Sequence, residues 1–183
     1  MKPIHLVTVT NGTGSPPEPP LAALEHLAVG LARVFRTPCS VRPGLLDPAF
    51  ALDARRNQYH STAILQRLER IADPDARVLG VTSLDLYVPV LTFVFGEAQL
   101  EGNCALVSLA RLDEQFYGLP HREDLLHDRL LKESVHELGH TFGLRHCSDW
   151  QCVMASSHGV ERLDIKNVDF CTACRREVFG FYW

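Results

Sequence analysis

Residues 136–147 read His136-Glu137-Leu138-Gly139-His140-Thr141-Phe142-Gly143-Leu144-Arg145-His146-Cys147. The first half of this stretch ends a helix expected over roughly 122–142. That helix follows Pro120 and carries apolar residues at Leu125, Leu126, Leu130, Leu131, Val135, Leu138 and Phe142. Helical residues four apart are about 40° apart around the axis and about 6 Å apart along it. His136 and His140 therefore present both imidazoles on one side, where a tetrahedral zinc can take two nitrogens. If the helix simply continued, His146 would lie about 240° around from His140 and about 9 Å further along. Gly143 removes that obstacle, because glycine can take a left-handed conformation, end the helix and swing His146 back. The plain alternative is two surface histidines and a chance third. Five fixed positions on a helix supported by its own apolar period argue against it.

These parts point to a chemistry. His136, His140 and His146 hold zinc and leave its fourth position open, as a catalytic site requires. Zinc lowers the pKa of water toward neutrality. Glu137 is the general base that takes the proton and passes it to the leaving group. The expected reaction is hydrolysis of a peptide or amide bond. Two rival readings remain. One is a zinc-stapled module that grips peptides without cutting them, and the other is a hydrolase of non-peptide amides.

A second group of metal-type residues lies downstream. Cys147 follows His146 directly, then come Cys152, Cys171 and Cys174, the last two as a CxxC pair. A CxxC turn points two thiolates at one metal, and a second pair completes a closed structural site. Such a site would also stabilise a tail with little hydrophobic period. A pair of disulfides and a thioredoxin-like redox pair are the other readings. Cys39 and Cys104 sit in apolar segments and read as buried thiols.

The pattern HExxHxxGxxH with a later methionine is that of the metzincins. With Cys147, Cys152-Val153-Met154 and Cys171 to Cys174 added, the chain resembles the archaemetzincins within that clan. The motif covers about forty residues, and the Met154–Cys171 stretch is one residue shorter than in that family. The resemblance implies two zinc ions per chain, one catalytic on the three histidines and one structural on the four cysteines. It implies that Met154 is the Met-turn residue beneath the catalytic zinc. It also implies a mixed sheet with an active-site helix at the base of a cleft, and a peptide or protein substrate. The N-terminal half carries no motif of the family.

The rest of the chain is read by period. Strands are expected at 4–10, 39–41, 78–82, 91–95 and 105–109, and helices at 21–35 and 61–72. The loop at 11–20 has Gly12 and Gly14 but no lysine at P-loop spacing, so a phosphate cradle is not expected. Strands mixed with helices give a mixed α+β fold in a single domain over 1–183, with an upper part at 1–143 and a zinc-stapled lower part at 144–183. Phe93 to Gln99 is expected to form the edge strand above the cleft, with Gly96 permitting close backbone approach.

The chain has 183 residues and a formal net charge of -4, with no basic stripe, which argues against nucleic acid as a partner. No apolar run is long enough to span a membrane, and the start, MKPIHLVTVT, is too short and broken for an export signal. A cytoplasmic monomer with reduced cysteines is the expectation.

Overall fold

Strand β1 (Ile4–Val9), helix α1 (Leu21–Phe35) and strand β2 (Cys39–Leu46) open the chain. Two short strands, β3 (Leu52–Asp53) and β4 (Gln58–His60), lead into helix α2 (Ser61–Ile71). Strands β5 (Arg77–Thr82), β6 (Leu86–Tyr87), β7 (Gly96–Ala98) and β8 (Cys104–Ser108) follow. The long helix α3 (Glu123–Thr141) and two short helices, α4 (Val160–Ile165) and α5 (Thr172–Phe179), complete the elements. The computed structural model describes residues 1–10 and 18–180, with the backbone alone for 43–45. The glycine pair at Gly12 and Gly14 lies outside the described residues.

The main sheet has the order β2-β1-β5-β8-β7. Its first four strands are parallel, and β7 runs antiparallel to β8 at the edge. Central parallel strands are covered on both faces, so they read as nearly continuous apolar runs. β8 fits this description, with all five residues buried. Its alternate residues serve two different cores. Ala105 and Val107 join the core beneath α1 and α3, while Cys104 and Leu106 join the core beneath α2.

Helix α1 turns Leu24, Leu27, Leu31 and Phe35 onto the sheet, and Val29 on its far side is exposed. This is the spacing of a one-faced helix. The helix stops at Arg36, which takes a left-handed φ of 52° two residues before Pro38. Full burial of a side chain such as Leu31 contributes about 1.5–3 kcal/mol. Helix α2 packs the opposite face of the sheet through Ile64, Leu65 and Leu68. Gly80 in β5 leaves room for that packing, since a Cβ there would lie 3.0 Å from the Leu106 side chain and 3.2 Å from those of Leu68 and Val9.

Helix α3 is different, because it is buried nearly all round. The sheet and α1 cover its apolar face through Leu130, Val135 and Leu138, and the C-terminal tail covers much of the rest. Its polar residues Arg129, Lys132, Glu133, Ser134, His136 and Glu137 are consequently buried too. Asp and Glu in the first turn (Glu123, Asp124) suit the positive end of the helix dipole.

Two segments depart from the expectation drawn from period. Residues 91–95 are not a strand, and the edge strand begins only at Gly96. The carbonyls of Leu91 and Thr92 accept from Arg56 and Gln58 side chains instead of a neighbouring strand, and Val94 makes an isolated bridge to Leu86. The tail, which lacks a long apolar period, holds α4 and α5. Both are too short to stand alone and rest on packing.

Arg129 ties that tail to the body. It is 2% exposed and donates through Nε and Nη2 to both carboxylate oxygens of Asp164 at 2.7 and 2.8 Å. It also reaches Glu114 at 2.7 Å and the Leu112 carbonyl at 2.9 Å. Replacing Arg129 by Met strands two carboxylates and one carbonyl. Because Asp164 is one-third exposed, the expected loss is near the lower end of the usual range, about 3 kcal/mol. Urea unfolding of Arg129→Met, read by circular dichroism, measures it.

Candidate metal centre

Helix α3 ends in a geometry that its sequence prepares. Gly143 has φ 91°, the region that favours glycine. Its N–H donates to the His140 carbonyl at 2.9 Å, and the Leu144 N–H donates to the Gly139 carbonyl at 3.3 Å. This bond pair is a Schellman turn, and Leu144 is buried at its close. The chain reverses, and His146 returns to the face that carries His136 and His140.

The three imidazoles converge. Ring centroids are 4.8 Å apart for His136 and His140, 5.3 Å for His136 and His146, and 5.2 Å for His140 and His146. One nitrogen from each lies within 4.8 Å of the other two. His136 Nδ1 is bonded to the Val153 carbonyl at 2.8 Å, and His140 Nδ1 to the Leu144 carbonyl at 2.7 Å. A carbonyl only accepts, so both Nδ1 atoms carry the proton and both Nε2 atoms present a lone pair. Those Nε2 atoms are 3.2 Å apart. Two lone pairs that close repel unless a cation joins them. A tetrahedral zinc with nitrogens at about 2.0–2.1 Å separates them by about 3.4 Å, so the donor set fits zinc.

Burial lowers the pKa of all three imidazoles, His136 most strongly, and nearby Lys166 adds to the effect. They are held neutral, the form that ligates. Glu137 is 5% exposed. Burial, and then neighbouring Glu133, push its pKa well above the ordinary carboxylate range. Glu133 is raised as well, mainly by burial.

Glu137 reaches the cleft along an unusual path. A Cβ on Gly96 would lie 2.6 Å from Glu137 Cγ and 2.6 Å from the Leu106 carbonyl oxygen. The bare backbone of β7 thus makes room for the Glu137 methylene. Sequence reasoning assigned Gly96 to close backbone approach, and the group that approaches is this side chain. The cleft itself has a volume of about 370 Å³. Phe93, Phe95 and Gly96 form one wall, Glu133, His136 and Glu137 the floor, and His146 with Ser156 to His158 the other wall.

Met154 is fully buried. Its sulfur occupies the place a Cβ on Gly139 would need. The methionine therefore packs directly under the helix backbone between the two histidines. The Cys147 N–H donates to the Met154 carbonyl at 2.9 Å, which ties this turn to the second cluster.

That cluster gathers Cys147, Cys152, Cys171 and Cys174, whose sulfurs lie within 4.8 Å of one another. Cys147 Sγ and Cys171 Sγ are 3.8 Å apart. Zinc–sulfur bonds of about 2.3 Å in a tetrahedron require about 3.8 Å. The Cys171 N–H donates to Cys152 Sγ at 3.2 Å. Burial raises the pKa of Cys152 and Cys174. Burial opposes ionisation of Cys171 too, but the Cys174 N–H and the neighbouring thiols outweigh it and hold Cys171 below the ordinary thiol value. All six cysteines are unpaired thiols. Cys39 is half-buried and Cys104 buried, and burial pushes their thiols up to about 12 and about 11.

Three features of the site escaped the sequence reading. Glu133 stands one turn before Glu137 and lines the cleft. Glu97 on β7 is held by the hydroxyls of Ser61 and Thr62 at the start of α2 and adds to the negative field on Glu137. Lys166, far along the chain, is buried behind the histidines. The one available signal was the run of polar residues on a helix that the apolar pattern already marked as central.

A sheet with an edge strand above a buried helix, three converging imidazoles and a four-thiol cluster defines a zinc metallopeptidase. The model of peptidase family M54 matches residues 40–179. An archaemetzincin of Methanocaldococcus jannaschii is 44% identical over 140 residues, 76% of each chain. The structure of an archaemetzincin from Archaeoglobus fulgidus complexed with malonate superposes with a TM-score of 0.79 at 35% identity, covering 96% of this chain and 99% of that one. A zinc-dependent peptidase from Methanocorpusculum labreanum gives 0.83 at 30% identity, with the same coverage. The chain belongs to peptidase family M54, the archaemetzincins.

The contact of Met154 with Gly139 yields a test that does not depend on catalysis. Gly139→Ala drives a methyl into the methionine sulfur at the centre of the core. The expected cost is about 1–3 kcal/mol, read as a lowered Tm, and Gly139→Ala with Met154→Ala recovers part of it.

Proposed function

We propose that this chain hydrolyses peptide bonds in the cleft between β7 and α3, with a catalytic zinc on His136, His140 and His146. The observation that carries this reading is the pair of Nε2 lone pairs held 3.2 Å apart beside a buried carboxylate that lines a cavity. Bound there, zinc supplies a Lewis acid that makes water nucleophilic near neutral pH and polarises the scissile carbonyl. Glu137 takes the proton of the attacking water and hands it to the leaving amine. Burial raises its pKa and so makes it a stronger base than an ordinary carboxylate. The Val153 and Leu144 carbonyls keep the two buried rings in the tautomer that offers Nε2.

The substrate is an extended peptide. Among the described residues β7 is the edge strand, paired with β8, and Gly96 at its start lines the cleft with the 91–95 segment before it. A peptide laid along that edge adds a strand through main-chain hydrogen bonds. Phe93 and Phe95 supply the apolar wall beside it. Among the described residues no helix is long and apolar enough to cross a membrane.

Cys147, Cys152, Cys171 and Cys174 hold the second zinc in this reading, a closed site with no position for water. It divides the domain's labour at Gly143. Residues 1–143 carry the sheet and the active-site helix, and residues 144–183 form a lower part whose short helices depend on the staple.

For Glu137→Ala, folding and metal content stay at the wild-type level while peptide hydrolysis is lost, about 10²-fold or more. Turnover that survives this change would sink the mechanism. For Cys171→Ser, metal analysis shows one zinc fewer per chain, and thermal unfolding begins in the C-terminal part. Unchanged zinc content there would remove the four-cysteine assignment.

A further inference from the structure

Lys166 follows α4 directly and is 2% exposed, a rare setting for an ammonium group. Its Nζ donates to the Val153 carbonyl at 3.0 Å and to the Ala155 carbonyl at 3.1 Å. These are the two residues that flank Met154. The Val153 carbonyl also accepts from His136 Nδ1 at 2.8 Å. One oxygen therefore joins the buried cation to the first of the three imidazoles. Glu133 and Glu137 favour the charged form of the ammonium, against the burial that opposes it. Glu133 is buried to 5% exposure, and its Oε2 has no hydrogen-bond partner.

Placing a lone ammonium in this interior is unfavourable unless its surroundings are arranged for it. The arrangement found here is specific. Two carbonyls accept from the ammonium, one on each side of Met154, and that of Val153 leads on to His136. An apolar side chain of the same length would fill the space without that cost.

We propose that Lys166 is a positioning residue of the metal centre. Its two hydrogen bonds fix the turn around Met154, and through Val153 they fix the ring of His136 with Nε2 toward the metal. The proposal rests on the assignment of the three histidines as metal ligands.

Two substitutions separate the roles. Lys166→Met removes both charge and donors at similar length. Lys166→Gln keeps amide donors for the carbonyls and removes the charge. Wild type and both variants are prepared with zinc in the cysteine cluster and cobalt at the histidines, and the visible spectrum of the cobalt is recorded. Metal affinity at the histidines is measured by chelator competition, and kcat and KM on a peptide.

In Lys166→Met the cobalt spectrum changes, affinity falls about 10–100-fold as for other lost supports of metal ligands, and kcat falls with KM little altered. In Lys166→Gln the spectrum, affinity and kcat recover in part, because the shorter side chain keeps amide donors for the carbonyls. A folded Lys166→Met with wild-type spectrum, affinity and kcat, and only a lower Tm, would show a mere staple and overturn the proposal. Should Lys166→Met not fold, Lys166→Gln decides: wild-type spectrum, affinity and kcat together overturn it, and a changed spectrum with weakened affinity at unchanged KM supports it. The spectrum and affinity need no peptide. A wild type that binds cobalt at the histidines but cleaves nothing refutes the peptidase reading alone.

Discussion

The reversal of the chain at Gly143 is the constraint from which the site follows. One residue with φ 91° lets the Leu144 N–H turn back to Gly139. The same turn brings the Leu144 carbonyl to His140 Nδ1 and so orients the second imidazole. It then returns His146 to within a nitrogen's reach of the other two. The turn is gripped from outside as well. The Glu101 N–H donates to the His140 carbonyl, and the Glu101 side chain lies against Gly143. A side chain larger than hydrogen at Gly143 would face both an unfavourable φ and that carboxylate.

The second organising fact is the burial of polar groups along α3. An isolated charge in a protein interior is expensive, so each one needs a reason and a partner. Arg129 has a structural partner set: two carboxylates and a carbonyl that join α3 to α4 and to the turn before the helix. About two turns further on, His136 and Glu137 line the cleft, and the carbonyl that His136 donates to comes from the tail, at Val153. The helix is thus a single rod that the tail grips at both places. Four cysteines gather the loops of the tail and the start of α5 into one place.

Much of the fold was legible because period and burial agree there. Helix α1 runs from Leu21 to Phe35 and α3 from Glu123 to Thr141, as the spacing of their leucines requires. The resemblance to the archaemetzincins is borne out by the family and structural comparisons. Residues 91–95 misled for a physical reason. An apolar, aromatic run looks like a strand, but the Leu91 and Thr92 carbonyls are taken by Arg56 and Gln58, two side chains far away in sequence. The helices of the tail were missed for the opposite reason. Short helices have little period to read, and their stability comes from what they pack against.

The sequence by itself determined the local chemistry. Two imidazoles four residues apart, a neighbouring carboxylate and a glycine before the third histidine need only helix geometry and one turn to be placed together, because all lie within eleven residues. Tertiary structure decided everything that depends on distant segments meeting. It set Met154 against the bare backbone of Gly139, brought Gly96 of the edge strand against Glu137, and placed Lys166 behind Val153. Such pairings carry no periodic signal. They exist only after the sheet, the central helix and the tail have closed around one another, when a missing Cβ or a single buried amine acquires its meaning from neighbours that are remote along the chain.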